Sequence, residues 1–472
     1  MTNQEFEAAI ASAIAKAMGT TQPQDGAQKT VEKAVTPEGI QAMVEQAVAK
    51  ALEPVQKQEQ EPEQPQLIII NTCTVTAVAD KKARNLIRRL RREHPQAVLA
   101  VCGCYAQRDA AEVAAIGGVD IIAGVDERRQ LPRLVEAYCR QRHHHDAGNN
   151  DPLVEVSPIA TLRHFHRIAA DNIQPRARAY LKIEDGCDQF CKYCIIPHVR
   201  GPVRSLPLQQ AIEQTRLLLA AGHQEIVLSG IHIGAYGRDL PQGEDLPTLI
   251  KSLLTLPGLV RLRLGSIEPQ QFSEQLISLF AEQERICPHL HIPLQAGCDR
   301  TLEAMGRHYT TEQYAQLIER LRALRPQTAF TTDIIVGFPG ESEEDFAASL
   351  AFVASLELAD SHIFPYSRRS GTPAATMPQQ LSNSIKSERA ARLNQVAENN
   401  AQRYRQQFVG KTLDLLGEEI VEISGNSYLR GHSANYLSLL LPLTERSPHL
   451  QGQLLPVRGV ELYDEGLIVE RC

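Results

Sequence analysis

Three stretches of patterning predict an α/β protein built from a small Rossmann-like domain, a full or partial TIM-type barrel of parallel strands, and a small C-terminal β-barrel. From residue 67 to about 140, short apolar runs alternate with helical segments. From about 178 to 367, six strand candidates alternate with helical patterns. From Gly410 onward the chain turns to short strands and turns.

The elements follow in order. Residues 1 to 66 carry two helical patterns, Phe6, Ile10, Ile14, Ala17 and Ile40, Val44, Val48, Leu52, and then a tether, "EPVQKQEQEPEQPQ". The stripes suit docking to a partner or capping of the protein's own surface. "LIIINTCTVT" reads as a strand ending at Asn71, Thr72 and Cys73, "KKARNLIRRLRREHP" as a helix, "AVLAVCGCYAQ" as a buried strand and "VDIIAGV" as another. In such a βαβ alternation functional loops lie at strand carboxyl ends, where Cys73 and Cys104 fall. After "HHHDAGNND" come "AYLKIEDG", "EIVLSGI", "RLRLGSI", "LHIPLQ", "TTDIIVGFP" and "SHIFPYS", the six strands of the barrel, with chemistry expected at its carboxyl-terminal rim. The tail holds "LDLLGEEIVEI" and "LLPVRGVELYDEGLIVE", a small β-barrel of the class that includes oligonucleotide binders.

Length and composition set outer limits. The 472 residues exceed a usual single domain, and 43% hydrophobic with 22% charged residues excludes disorder throughout. No apolar run reaches the roughly 18 residues of a spanning helix, and the N-terminus carries acids where a secretory signal carries Lys or Arg, so a cytoplasmic protein with no membrane contact is expected. The net charge of -7 argues against a generic nucleic-acid coat. Local basic surface remains: Lys81 to Arg92 holds Lys81, Lys82, Arg84, Arg88, Arg89, Arg91 and Arg92 and no acid, and Arg200 and Arg204 follow the cysteine cluster. With no Trp, base stacking would fall to Tyr, Phe or His. Ten cysteines, partly bunched, read as metal ligands plus bystanders in a reducing compartment.

The densest bunch is "GCDQFCKYC", with Cys187, Cys191 and Cys194. Structural zinc wants four ligands, usually two separated pairs; His198 is the nearest candidate fourth. Three thiolates instead suit a four-iron cluster with one iron left open, and the position after the first barrel strand puts that iron at the rim. Phe190, Ile195 and Ile196 would help exclude water.

This CxxxCxxC pattern, with Tyr193 before its last cysteine, resembles the radical S-adenosylmethionine enzymes, in which the open iron chelates S-adenosylmethionine and supplies the electron that cleaves it. "RGPVRS", "GIHIGAYGRDL", "RLGSIEP", "HLHIPLQAGCDRTLEAMGRHYT", "DIIVGFPGESEEDF" and "FPYSRRSGTPAA", together with "NTCTVT" and "GCYAQR", resemble successive blocks of the methylthiotransferases within that group, most closely the branch acting on N6-threonylcarbamoyladenosine at tRNA position 37. The resemblance implies an appendage over 1 to 66, a truncated methylthiotransferase α/β domain over 67 to 150, a linker over 151 to 174, a radical S-adenosylmethionine barrel over 175 to 407 and a TRAM-like β-barrel over 408 to 472. It implies C2 methylthiolation of the adenosine, with a [4Fe-4S] cluster on Cys187, Cys191 and Cys194 and with S-adenosylmethionine contacted by Ser229, Gly230, Ser266, Glu268, Gln295, Arg307, Asp333 and Gly337. It also implies the tRNA anticodon loop as partner, an electron donor such as flavodoxin or ferredoxin, and a second cluster on three N-terminal cysteines.

Here the sequence departs from its relatives. Cys73 and Cys104 match two second-cluster ligands, and residues 1 to 66 hold no cysteine. Cys102 is either the substitute third ligand, on the same strand face as Cys104, or a small buried hydrophobe. An RNA-binding or repurposed paralogue unable to insert sulfur, and a methylthiotransferase for another tRNA adenosine or a ribosomal protein, are the alternatives. Cys139, Cys287, Cys298 and Cys472 match no ligand position.

Overall fold

The computed structural model describes residues 65–144, 151–166, 177–443 and 450–472. The helices expected within residues 1 to 64, and part of the expected linker, lie outside the described residues.

The first described unit is a four-stranded parallel sheet in the order β1 (Leu67–Thr72), β2 (Val98–Gly103), β3 (Ile121–Ala123), β4 (Leu153–Glu155). Helix Ala77–Glu93 follows β1 because Thr76 caps it, accepting from the Ala79 N–H at 3.1 Å, and because Asp80 and the Arg91–Arg92 pair suit its two ends. Its buried Ala83 and Ile87 pack with Leu99 and Val101 on one sheet face. Val98, Ala100 and Cys102 point to the other face, against Leu131 and Leu134 of helix Leu131–His144. Alternation along one strand thus divides β2 between two cores.

Six strands make the large domain. β5 (Arg178–Lys182), β8 (Glu225–Ser229) and β9 (Arg261–Leu264) run parallel, as do β10 (His289–His291), β11 (Ala329–Val336) and β12 (Asp360–Pro365). Backbone bonds from Leu262 to Arg285 (2.7 Å) and from Cys287 to Leu262 (2.9 Å) join the two sheets into one curved series, so this is a partial barrel with edges at β5 and β12. A two-stranded ribbon of β6 (Glu184–Asp185) and β7 (Arg204–Ser205) brackets the cysteine loop. The main core lies between the strands and the outer helices, with Leu249, Phe280, Tyr314 and Phe346 all buried.

The tail closes into a barrel in the order β13 (Thr412–Ile423), β14 (Asn426–His432), β15 (Ser438–Pro442), β17 (Gly466–Arg471), β16 (Leu454–Tyr463). It is fastened to the large domain through buried charges. Arg263 pairs with Glu225 at 2.6 Å and donates to the carbonyls of Ser433 and Ala434, while Arg261 donates to the Asp414 carbonyl at 2.8 Å.

Candidate active site

The cysteine loop leaves β6 and ends in the short helix Ile196–Arg200. Cys187 is tied down by its N–H to the Gly201 carbonyl (3.0 Å), and the Cys194 N–H bonds the Cys191 carbonyl (2.9 Å). Between them Phe190 takes a left-handed φ of 47°, a strain found mainly where surroundings hold a residue for function. Burial pushes the Cys187 thiol up to about 12 and Cys194 up to about 11, and the neighbouring thiols add to the rise. Three thiols from one short loop, two of them reluctant to ionise alone, are suited to losing their protons to a metal group.

Around them stand buried groups with polar atoms left unpaired. Arg307, buried, donates to the Cys191 Sγ at 3.1 Å and pairs with Glu268, and its Nε has no partner. His232, also buried, stands within 4.8 Å of Cys187 and Asp188 with neither ring nitrogen hydrogen-bonded; burial, then Arg238, pulls it down to about 4, so it is neutral. Its backbone N–H donates to Glu184 at 2.6 Å, and burial lifts that carboxyl to about 8. Orphaned buried donors beside three convergent thiols fit a resident inorganic cluster.

The other expected contacts divide into two groups. Ser229 ends β8, and Gly230 follows it where an added Cβ would lie 2.8 Å from the Glu184 carboxylate. Ser266 lies beyond the end of β9, and Gln295 holds a left-handed φ of 65° while bridging β11. These, with Glu268 and Arg307, belong to the carboxyl-terminal rim. Asp333 is placed differently: its carboxylate lies between His291 (3.4 Å) and His362 (3.1 Å), two histidines that line the barrel's cavity. Gly337, at φ 73°, packs on Lys386 and donates to Glu341 at 2.6 Å.

The second set of cysteines meets the first across one arginine. Gly103, at φ 95°, turns the chain where a Cβ would sit 2.5 Å from Asn71 Oδ1, and so starts helix Cys104–Arg108. Cys104 then packs on Ile195 and Val199 of the helix that follows the triplet. Arg200 donates to Cys104 Sγ at 3.1 Å and to Asp185 at 3.1 Å. Burial opposes ionisation of Asp185, yet Arg200, Lys182 and Arg204 outweigh it and hold the carboxyl below its ordinary range. Cys73 is exposed and near enough to Cys104 to raise its pKa slightly, after burial and against Arg200. Cys102 faces the opposite core with Ala100 and Ala123, its Sγ 3.8 Å from Asn71 Oδ1.

His232, His291 and His362 were not singled out from sequence, and Arg200, read there as basic surface for RNA, instead bonds Cys104 and Asp185. His232 and His291 lie in quoted blocks, "GIHIGAYG" and "HLHIPLQ", but only neighbours distant in the chain reveal what they face.

Comparison with known proteins agrees with this geometry. The Radical SAM superfamily matches over residues 181–353, and the uncharacterized protein family UPF0004 over residues 40–124. The threonylcarbamoyladenosine tRNA methylthiotransferase MtaB of Bacillus subtilis (strain 168) is 37% identical over 405 residues, covering 85% of this chain and 87% of the relative. This chain belongs to the radical S-adenosylmethionine tRNA methylthiotransferases. Within that family the MtaB of Aquifex aeolicus is 34% identical, over 76% of this chain and 87% of the relative. The tRNA-2-methylthio-N(6)-dimethylallyladenosine synthase of Caldicellulosiruptor saccharolyticus is 36% identical, over 75% and 74%. As a methylthiotransferase of this family the protein is an enzyme of tRNA modification, with a [4Fe-4S] cluster and S-adenosylmethionine as cofactors. No described helix is long and apolar enough to cross a membrane.

Proposed function

We propose that this methylthiotransferase acts on N6-threonylcarbamoyladenosine at position 37 in the tRNA anticodon loop, inserting a methylthio group at C2, in the cytoplasm and with a small electron carrier such as flavodoxin or ferredoxin as reductant. The substrate assignment is carried by the blocks "FCKYCIIP" and "FPYSRRSGTPAA" and by the MtaB relatives, at 34 to 37% identity.

Cys187, Cys191 and Cys194 would hold the cluster. When bound, it and S-adenosylmethionine supply the reducing electron, the hydrogen-abstracting fragment and the methyl group. The chain does the rest. Arg307 holds Cys191 and Glu268 in one ion-paired unit at the rim, where it can also meet a carboxylate. Neutral His232 adds a polar atom beside Cys187 without adding charge. Ser229, Gly230, Ser266 and Gln295 offer backbone and hydroxyl groups on the same rim, and buried Ile195 and Val199 keep water from its underside.

Cys73 and Cys104 would serve the second cluster from across Arg200. The packing of Cys102 into the opposite core favours the second reading, a protein whose second site has fewer thiols and inserts sulfur poorly. Anaerobic reconstitution separates the two: about eight irons per chain for two clusters, about four for one. Nucleoside mass spectrometry of tRNA from a deletion strain, with and without the gene restored, tests the product. Restoration of 2-methylthio-N6-threonylcarbamoyladenosine is expected, and its absence would overturn the substrate assignment.

A further inference from the structure

An RNA substrate brings phosphates, and three parts of the chain offer cations to meet them: Arg200 with Arg204, the C-terminal barrel, and helix Ala77–Glu93. The fold consumes the first. Arg204 is buried beside Asp185, and Arg200 is held by Asp185 and Cys104. The second carries the opposite sign. Its described residues hold eight side-chain carboxylates against four cations, Lys411, Arg430, Arg458 and Arg471. Two of those cations are already paired, Arg430 with Glu419 at 2.5 Å and Arg458 with Glu470 at 2.6 Å.

The helix is different, because the fold sorts its seven basic residues into two sets. Arg84 pairs with Glu112 (2.9 Å), Arg91 with Asp120 (2.5 Å) and Arg89 with Glu93 (3.9 Å). Lys81, Lys82, Arg88 and Arg92 are exposed, and no carboxylate among the described residues pairs with them. Lys81, Asn85, Arg88 and Arg92 fall at i, i+4, i+7 and i+11, one stripe on the side turned away from buried Ala83 and Ile87. The stripe is about 16 Å long at the rise of an α-helix. Arg88 and Arg92 stand one turn apart with no counter-charge, a repulsion that a bound anion removes.

Shape and position agree with charge. A surface groove of about 530 Å³ runs beside the second half of the stripe, lined by Asn85, Arg88, Arg91, Arg92 and Gly117. Arg91 is its fixed wall: its Nε donates to the Gly118 carbonyl at 2.7 Å, and at Gly118 (φ 74°) an added Cβ would lie 2.7 Å from Arg91 Cγ. The start of the helix adjoins the reaction. It follows the Cys73 loop directly, and the Ala77 N–H donates to Ser367 Oγ at 3.0 Å, just past the carboxyl end of β12. RNA leaving the rim at Ser367 therefore meets the stripe end-on.

We propose that the Lys81–Arg88–Arg92 stripe of helix Ala77–Glu93 is the main track for the sugar–phosphate backbone of the tRNA outside the modified nucleotide, in place of the acidic C-terminal barrel. The inference rests on the tRNA reading above and adds to it the surface that takes the phosphates. Such contacts position an RNA without reading its sequence, and each releases counterions, so the track is visible as a salt dependence.

The test uses the full chain and a fluorescein-labelled, unmodified tRNA transcript, with anisotropy followed between about 50 and 200 mM KCl. Replacing Lys81→Ala, Arg88→Ala and Arg92→Ala together should reduce the slope of log affinity against log salt by roughly 2 to 3 and leave iron content at the parent's level. Lys81→Arg with Arg88→Lys and Arg92→Lys, which keep the charges, should keep the slope. Arg216→Ala with Lys251→Ala, which removes exposed cations from the outer helices Leu208–Ala220 and Leu246–Leu254, should also keep it. A triple alanine variant with the parent's slope overturns the track, as does an equal loss in the Arg216 and Lys251 control. A loss of slope found instead in Lys411→Ala with Arg471→Ala moves the phosphates to the C-terminal barrel and overturns it too. Parent protein that restores the methylthio nucleoside in cells, with an unchanged slope in the triple variant, removes the track and leaves the proposed function standing. Parent protein that restores none removes that function, and with it the tRNA on which the track rests.

Discussion

At the scale of single residues, burial decides what each site group can do. Cys191→Ala should abolish cleavage of S-adenosylmethionine and remove about four irons per chain, measured by iron and sulfide content and by 5'-deoxyadenosine release. Cys104→Ala should lower iron without abolishing that cleavage. Cys102→Ala should leave iron unchanged, because its thiol is packed among Ala100, Ala123 and Leu131; iron loss in this variant would put Cys102 among the ligands. Glu184 allows a test by pH. Its folded value, about 8, lies above its ordinary 4.5, so the native state keeps a proton that the unfolded chain gives up. Stability should therefore fall as pH rises from about 4.5 to about 8 and level off above, by roughly 4 to 5 kcal/mol at most. Glu184→Gln should remove that slope, so urea midpoints of variant and parent diverge progressively across this window. Parallel curves would show that Glu184 ionises freely.

At the scale of elements, turns aim the chemistry. β2 ends where Gly103 reverses the backbone, and only a residue without Cβ clears Asn71 and Thr72 there. Gly103→Ala should cost more than about 1 kcal/mol in urea unfolding and disturb the Cys104 contact with Arg200; a variant as stable as the parent would mean the turn relaxes easily. The elements themselves were legible from sequence. "LIIINT", "EIVLS" and "DIIV" are apolar runs too short for helices and bounded by Gly, Thr or Ser, and the structure has strands at each. Cys187, Cys191 and Cys194 were legible for a similar reason, since all three come from one loop. What β2 hides is its two-sidedness: Cys102 and Cys104 are two residues apart, but the strand stops between them, so period-two alternation no longer relates their directions.

At the scale of the whole molecule, a few buried charges hold the units in place. Glu225 lies between Arg261 (3.6 Å) and Arg263 (2.6 Å), and those arginines grip the C-terminal barrel. Glu225→Ala strands two buried cations and should cost about 3 to 5 kcal/mol, with limited proteolysis releasing the C-terminal barrel early; unchanged proteolysis would show that the apolar contacts alone suffice. Arg369, from "SRRSG", reaches Asp80 (2.8 Å) and Thr74 (2.6 Å) beside the Cys73 loop, and with the Arg200–Cys104 contact it fastens the first domain to the barrel. Sequence by itself determined the strand–helix alternation, the triplet of cluster ligands and the family, because each depends on periodicity or on residues within one loop. Only the tertiary structure decided that Arg200, at the end of the helix after the triplet, bonds Cys104, that His232 borders Cys187, and that Tyr180 and Phe364 share one cavity. Those partners lie 45 to 184 residues apart in the chain, and the fold of the barrel, not local propensity, brings them to one place.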